Sequence, residues 1–219
     1  MPLLLYADCL VRSLARAPVN LQNLPWTEHQ KLEIVKCDVL VKSSLQTALS
    51  CCRAAYYLVH SMSPGVRDFA FTDRQAARNM AEAAAAEKLE QIVYLSGLGD
   101  KEGKLSHHLQ SRAEGGDILR HGPVPVAILR AAMSIGSGSA SFEILRYLVD
   151  RLPVMITPRW LNTPCQPIGV RNVLHYLVGC IEEPKTLGET FDIGQPEITN
   201  YRELMEVYAQ EAGLHRRLI

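Results

Sequence analysis

Short apolar runs alternate with helical patterns along the chain. Five of these runs are strand-like, and they cover residues 7–11, 32–36, 54–59, 92–95 and 126–129. Such an alternation is typical of βαβ units, in which each strand is followed by a helix that crosses the sheet. Because the runs are apolar almost throughout, we expect parallel strands that are covered on both faces. The sequence therefore predicts an α/β fold, a Rossmann-like doubly wound parallel sheet.

The helical patterns are amphipathic. The longest covers residues 68–88, and further helices are predicted over residues 141–151 and 171–182. The small or apolar residues of the longest pattern share one helical face, which lets a helix lie close on a sheet: Ala76, Met80, Ala83 and Ala84. Asn200 precedes Glu203 by three residues, which predicts a capped helix start.

Prolines interrupt the alternation between residues 152 and 167, in the stretch LPVMITPRWLNTPCQP. We expect one domain over all 219 residues, with a small C-terminal substrate-facing lobe formed by about 137–167 and 195–219. Met155 and Trp160 are candidates for an apolar pocket wall, and ordinary core positions are the alternative because cores and pockets use the same residue types.

Charge and cysteine usage exclude several classes of partner. Twenty-three basic and twenty-three acidic residues cancel, so no global field attracts nucleic acid or an anionic membrane. No run approaches the length of a membrane span, and the start MPLLLY lacks the charged leader of a secretory signal. The six cysteines form no C-x-x-C pair, and the histidines lack ligand spacing. We expect a cytoplasmic protein with free thiols, no metal and an unidentified small-molecule substrate.

Ligands of open α/β sheets bind beyond the carboxyl ends of the strands. Arg12 and Ser13 follow the first predicted strand. At this position a carboxylate binds the ribose hydroxyls of NAD, whereas a basic residue meets the 2′-phosphate of NADP. The sequence therefore favours NADP, with NAD as the weaker candidate. A solvated surface arginine is the alternative for Arg12.

The next two strand ends also carry candidate cofactor contacts. Asp38 and Val39 close the second strand, where a carboxylate and an apolar side chain are expected to border an adenine. A turn-forming aspartate is the alternative for Asp38. The third strand ends with Val59, His60 and Ser61.

Candidate catalytic residues lie around the fourth strand. Ser96 ends this strand, and its hydroxyl is placed to hydrogen-bond a substrate carbonyl. His108 and Arg112 are four residues apart, on one face of the next helix. An imidazole transfers protons near neutral pH, whereas a guanidinium keeps its proton and acts electrostatically. The alternative is that both are polar residues at an exposed helix start.

The chain lacks the opening expected of a dinucleotide fold, which is a strand, a glycine-rich turn and a helix. No glycine occurs in MPLLLY, and the glycines at 97–99 and 136–138 come too late. Either the fold is not a dinucleotide binder or the chain lacks its first βα unit, and the strand-end residues favour the second interpretation. We expect an exposed sheet edge and weak dinucleotide binding by the chain as given.

Several blocks, in order, resemble the atypical short-chain dehydrogenase/reductase superfamily: AYYLVHSM, DRQAARNMAEAA, IVYLSGLG, LRAAMSIGSGSASFEILRYLV, LPVMITPRW and CQPIGVRNVLHYL. The resemblance is to NmrA-like and complex I thirty-nine-kilodalton-subunit-like proteins of the NAD-dependent epimerase/dehydratase type, from about Leu3 to Ile219. It implies an NAD(P) cofactor that also contacts Ala131, Ala132 and Met133.

Two departures from the family pattern stand out. The opening strand and glycine-rich loop are missing, and relatives continue beyond the equivalent of residues 213–217, so we expect a shortened chain. The Tyr-x-x-x-Lys pair of active members is replaced by His108 and Arg112. The resemblance implies an oxidoreductase acting on a carbonyl or quinone-like molecule, and the alternative is a non-catalytic NAD(P)H-sensing or assembly protein.

Overall fold

The alternation of strands and helices is present in the computed structural model, which describes residues 1–59, 68–99, 106–156 and 158–219. The elements up to the fifth strand are α1 (Pro2–Tyr6), β1 (Val11–Ala15), β2 (Leu32–Lys36), α2 (Lys42–Leu49), β3 (Ala54–Tyr57), α3 (Phe69–Ala86), β4 (Gln91–Gly97), α4 (His107–Arg120) and β5 (Val126–Ala131). Then follow β6 (Met133–Ile135), α5 (Ala140–Arg151), β7 (Val154–Met155), β8 (Pro164–Cys165), β9 (Pro167–Gly169), α6 (Val170–Glu182), β10 (Thr190–Ile193), β11 (Thr199–Asn200), α7 (Tyr201–Glu211) and β12 (Arg217–Leu218).

The central sheet has the order β10-β5-β4-β3, and β3 runs parallel to β4 with Ala54 opposite Gln91. A second pair, β1 and β2, is also parallel, with Arg12 opposite Glu33. The α/β fold class predicted from the sequence is therefore confirmed.

The described residues form two compact units, one of Met1–Leu129 with Leu177–Phe191 and one of Arg130–Tyr176 with Asp192–Ile219. Both segments expected to form the substrate-facing lobe belong to the second unit. The role of that lobe stays a prediction.

The first strand begins at Val11, the residue at which it was expected to end. Residues 2–6 form helix α1, with a proline in its first turn and Leu5 buried, and Asp8 adopts a left-handed conformation (φ 64°) that closes the turn after it. Proline is favoured at a helix start because its missing N–H is not needed there. The prediction that Arg12 and Ser13 follow this strand is wrong, since both lie inside β1.

The helix predictions rest on capping and on small residues, and the structure confirms both features. Asp68 caps α3 by accepting a hydrogen bond from the Phe71 amide, and the face predicted to pack is buried, with Ala76, Ala83 and Ala84 at 0 % exposure. Asn200 Oδ1 caps α7 by accepting from the Glu203 amide at 2.9 Å.

Two adjacent glycines let α4 lie against the sheet. A Cβ atom on Gly116 would lie 3.3 Å from Cε1 of Tyr94 and 3.5 Å from Cδ1 of Ile128, and one on Gly115 would lie 3.5 Å from the Tyr94 hydroxyl. Glycine in a helix interior costs about 1 kcal/mol relative to alanine. That cost is offset here because the glycines make room for the Tyr94 ring.

Gly116→Val is therefore expected to lower the free energy of unfolding by about 1–3 kcal/mol, since its methyl groups would overpack this contact. Urea unfolding followed by circular dichroism measures the change. Gly179→Val is the matched control because Gly179 also lies in a helix and a Cβ there would meet nothing within 4 Å. Equal effects of the two substitutions would contradict the close-packing argument.

Candidate functional site

Apolar side chains are exposed directly after β2 and β3. Leu40 and Val41 are 43 % and 49 % exposed, and Leu58 and Val59 are 49 % and 38 % exposed. The carboxyl ends of parallel strands are where ligands of α/β sheets bind. Each of these exposed apolar pairs is a small surface that a flat ring can cover.

Arg16 lies just beyond the end of β1. It is exposed, and it forms no hydrogen bond or ion pair with any residue that the structure describes. Together with Ala15, Ala17, Asn20 and Leu21 it lines an open depression of about 520 Å³. A guanidinium that has no partner among the described residues is available to bind an anionic group.

Arg12 has a structural role at the other end of β1. Its Nε atom donates to Glu33 at 2.6 Å, and its Nη1 atom donates to the carbonyls of Ala48 and Ser50 at 2.9 and 2.8 Å. These carbonyls end α2, where a cation satisfies otherwise unpaired acceptors and the helix dipole. The hydrogen bond to Glu33 is the main reason that the pKa of Arg12 is raised. Ser13 lies in the middle of the same strand.

Arg16 was not among the predicted site residues because the first strand was expected to end at Val11, four residues before its observed end at Ala15. Pro18 indicates the true end of the strand, because it is the first strong turn residue after the strand begins and proline rarely continues a paired strand.

Asp38 forms the turn that was its alternative interpretation. Its Oδ1 atom accepts a hydrogen bond from the Leu40 amide at 2.9 Å, and its own amide donates to Ser44 Oγ at 3.1 Å. Val39 is half-buried, and its carbonyl accepts from Asn79 Nδ2 at 2.9 Å. Contacts of Asp38, Val39 and Val59 with a cofactor stay predictions. His60 and Ser61 lie outside the described residues.

The Arg112 side chain reaches the end of β4, the strand that carries Ser96. Ser96 is the penultimate residue of the strand and is 6 % exposed. A Cβ on the following residue, Gly97, would lie 2.5 Å from Leu109 Cδ2, so this glycine allows the first turns of α4 to approach the strand end. The Arg112 Nη2 atom donates to the Leu95 carbonyl at 2.8 Å. His108 is half-buried, one helical turn before Arg112.

Tyr94 is a further polar residue at this strand end. Its hydroxyl donates to the Arg112 carbonyl at 3.0 Å. Burial, the largest effect, raises the pKa of Tyr94, while the charge of Arg112 and hydrogen bonding from Ser96 and Arg112 lower it. Sequence reasoning missed Tyr94 because it lies in an apolar run, where an aromatic residue is typical of core.

The Arg112 Nε atom is buried and has no hydrogen-bond partner within the described part of the chain. A buried N–H of a charged group without an acceptor is costly, and such atoms are rare in folded proteins. Within the described residues, the end of β4 therefore offers one buried donor without an acceptor, and the end of β1 offers the exposed Arg16 beside an open depression.

The three residues predicted after the fifth strand lie in the second unit. Ala131 ends β5 and is buried, whereas Ala132 is half-buried. Met133 is 2 % exposed and packs with Leu145 and Val149, so its side chain is core. Backbone contacts of these three residues with a cofactor stay predictions.

Of the two candidates for a pocket wall, Met155 is core, 5 % exposed. Trp160 is 60 % exposed, and its ring contacts that of Tyr201 with the centroids 5.9 Å apart.

The cysteines are free thiols, and Cys37, Cys165 and Cys180 are buried. Burial raises the pKa of Cys165 and of Cys180. Among the described residues, none of the helices is both long enough and apolar enough to cross a membrane.

A parallel sheet whose strands alternate with helices is the architecture in which α/β proteins bind ligands at the carboxyl ends of the strands. The model of a family described as NAD(P)H-binding matches residues 1–133, more than half of the chain, and the chain belongs to this family. Among curated proteins, no sequence is significantly similar to it. The nicotinamide cofactor expected from the sequence is in agreement with this family.

Solved structures share the fold over the whole chain. A short-chain dehydrogenase/reductase superfamily protein from Agrobacterium tumefaciens with bound NAD is 15% identical, with a TM-score of 0.78 over 100% of this chain and 80% of that chain. An epimerase from Methanothermobacter thermautotrophicus is 14% identical, with a TM-score of 0.78 over 100% of this chain and 74% of that chain. A dTDP-glucose 4,6-dehydratase double mutant from Streptomyces venezuelae with NAD and DAU bound is 16% identical, with a TM-score of 0.78 over 100% of this chain and 78% of that chain. The fold that the resemblance to the short-chain dehydrogenase/reductase superfamily implies is thereby confirmed.

Proposed function

We propose that this protein binds NADP and uses it to reduce or oxidise a carbonyl or quinone-like small molecule. The observation that carries the proposal is Arg16, an exposed guanidinium without a partner among the described residues, at the carboxyl end of β1. The groups available for chemistry, Ser96 and His108, belong to the end of β4 and the start of α4.

The preference for NADP follows from charge. In dinucleotide-binding folds, the residue that contacts the adenosine ribose lies just after a strand, and Arg16 lies just after β1. A cation at this position matches the 2′-phosphate of NADP. Arginine binds a phosphate through two parallel N–H donors, which adds geometric selectivity to the charge. Asn20 adds a polar side chain to the same depression. The exposed Leu58 and Val59 offer apolar contact area near the end of β3.

The chemistry divides between the cofactor and the protein. When bound, the nicotinamide supplies or accepts the hydride. The Ser96 hydroxyl hydrogen-bonds the substrate oxygen, and the His108 imidazole exchanges a proton with it near neutral pH. Arg112 stays protonated and contributes a fixed positive charge at the end of β4.

Turnover of NADPH with a panel of quinones and aldehydes tests this proposal. His108→Ala is expected to lower kcat by about 10²–10³-fold because a proton-transfer group is lost. Ser96→Ala is expected to lower kcat by about 10²–10³-fold because a hydrogen-bond donor to the reacting oxygen is lost. His121→Ala is the matched control, because His121 lies at the opposite end of α4, where its Nδ1 is 2.7 Å from the Asp117 carbonyl. An equal loss in all three variants would show that the effect is not specific to the site.

A non-catalytic NADPH sensor is the second candidate. The Arg112 side chain, which stands in place of the lysine of active relatives, donates a hydrogen bond to the Leu95 carbonyl. This structural bond favours the sensor because it occupies a side chain that would otherwise assist catalysis. NADPH binding without turnover of any panel member would support the sensor and reject the enzyme.

A further inference from the structure

Two hydrogen bonds of opposite direction join β4 to α4. The Tyr94 hydroxyl, on the strand, donates to the carbonyl of Arg112 on the helix at 3.0 Å. The Arg112 guanidinium donates back to the carbonyl of Leu95 on the strand at 2.8 Å. We call Tyr94, Leu95 and Arg112 the strand–helix clasp. Two bonds between the same short segments restrict both sliding and rotation of the helix on the strand.

The clasp is enclosed and closely fitted. Tyr94 is 3 % exposed, and its ring lies against Gly115 and Gly116, whose missing side chains leave the space that it fills. A hydroxyl buried this deeply donates to a fixed protein acceptor and does not meet a substrate. Because burial raises its pKa, Tyr94 stays neutral and keeps the proton that it donates.

The two bonded segments carry the groups of the proposed reaction. Leu95 directly precedes Ser96 on β4, and Arg112 follows His108 by one turn of α4. We propose that Tyr94 is a positioning residue that, through the clasp, sets the distance between Ser96 and His108. The inference rests on the proposed function for its catalytic consequence, and on the two hydrogen bonds for its structural one.

Tyr94→Phe tests the clasp, and Tyr56→Phe is the matched control. Tyr56 also donates its hydroxyl to a helix carbonyl, that of Leu177 in α6, at 2.9 Å. Each substitution removes the hydroxyl of a strand tyrosine and its hydrogen bond to a helix carbonyl, and Tyr94→Phe also removes the hydrogen bonding of that hydroxyl with the Ser96 and Arg112 side chains. Amide hydrogen exchange of the free protein is expected to accelerate about tenfold in α4 for Tyr94→Phe, and in α6 but not α4 for Tyr56→Phe.

Kinetics then test the positioning role. Tyr94→Phe is expected to lower kcat by about tenfold to a hundredfold while KM for NADPH changes by less than about twofold, because displaced reacting groups slow the chemical step more than they weaken binding. Tyr56→Phe is expected to leave both values unchanged. Arg112→Lys keeps the charge and the backbone carbonyl but loses the planar fork, so it is expected to accelerate exchange in α4 without removing the Tyr94 bond.

The outcomes separate this inference from the proposed function. Unchanged α4 exchange in Tyr94→Phe, or equal acceleration of α4 in both tyrosine variants, overturns the clasp even if the enzyme is active. Faster α4 exchange with a wild-type kcat overturns the positioning role. If the wild type turns over no panel member, the proposed reaction fails, and the exchange experiment still decides the clasp.

Discussion

Replacing Arg16 by alanine is expected to weaken NADPH binding by roughly thirtyfold to a hundredfold and to leave NADH binding within about twofold, because the lost charge-assisted hydrogen bonds serve only the 2′-phosphate. Calorimetric titration of both nucleotides gives the ratio of the two affinities. The ratio is the decisive quantity, since changes in overall affinity cancel in it. The effect is also expected to shrink at high salt, because exposed charges are screened.

Arg12→Ala is the matched control for this experiment. Both arginines belong to the β1 region, but Arg12 binds the carbonyl end of α2 through Ala48 and Ser50. Its loss is expected to lower the free energy of unfolding by about 1–2 kcal/mol, the range for a lost helix-end interaction in a partly buried setting. It should leave the NADPH to NADH ratio unchanged. Equal changes of that ratio in both variants, or equal weakening of both nucleotides by Arg16→Ala, would reject Arg16 as the phosphate-reading residue.

The contrast between these arginines shows what sequence patterns predict and where they fail. The presence of β1 and the rule that a cation after it favours NADP were both available from the residues. The error was in the strand boundary: the strand was expected over residues 7–11, whereas residues 2–6 form a helix, residues 7–10 connect it to the sheet, and β1 begins at Val11. A shift of four residues transfers the proposed role from Arg12 to Arg16. Period and turn signals place elements well and boundaries poorly because both ends depend on tertiary pairing.

The site at β4 was predictable in part for a different reason. Ser96 and the spacing of His108 and Arg112 follow from strand-end and helical geometry, and the structure places Arg112 beside the end of β4. Tyr94 was not predictable, because its neighbours in sequence give it no polar partner. Its partner is the carbonyl of Arg112, eighteen positions away, and backbone acceptors leave no trace in a sequence. The glycine pair at 115–116 is visible in the sequence, but only the structure shows that these glycines make room for the Tyr94 side chain.

Alkaline pH is expected to destabilise the protein steeply. Burial is the main cause that raises the pKa of Tyr56, Tyr57 and Tyr94 above the ordinary value near 10. In the unfolded chain these tyrosines ionise above about pH 10, whereas in the folded protein they keep their protons. The unfolded state then binds fewer protons, so the free energy of unfolding falls as the pH rises. The full contribution is present below pH 10, and above it the loss is at most about 1.4 kcal/mol per pH unit for the well-buried Tyr57.

Urea unfolding between pH 8 and pH 11 measures this decline. Tyr57→Phe is the informative variant because Tyr57 is 4 % exposed and lies outside the clasp, with its ring centroid 5.7 Å from that of Tyr94. Removing its hydroxyl is expected to make the decline above pH 10 shallower by up to about 1.4 kcal/mol per pH unit. Tyr6→Phe, at a position that is 86 % exposed, is expected to leave the decline unchanged. If both variants follow the wild-type curve, the alkaline sensitivity does not come from buried tyrosines. The thiols of Cys165 and Cys180, whose pKa values are also raised by burial, are then the groups to test.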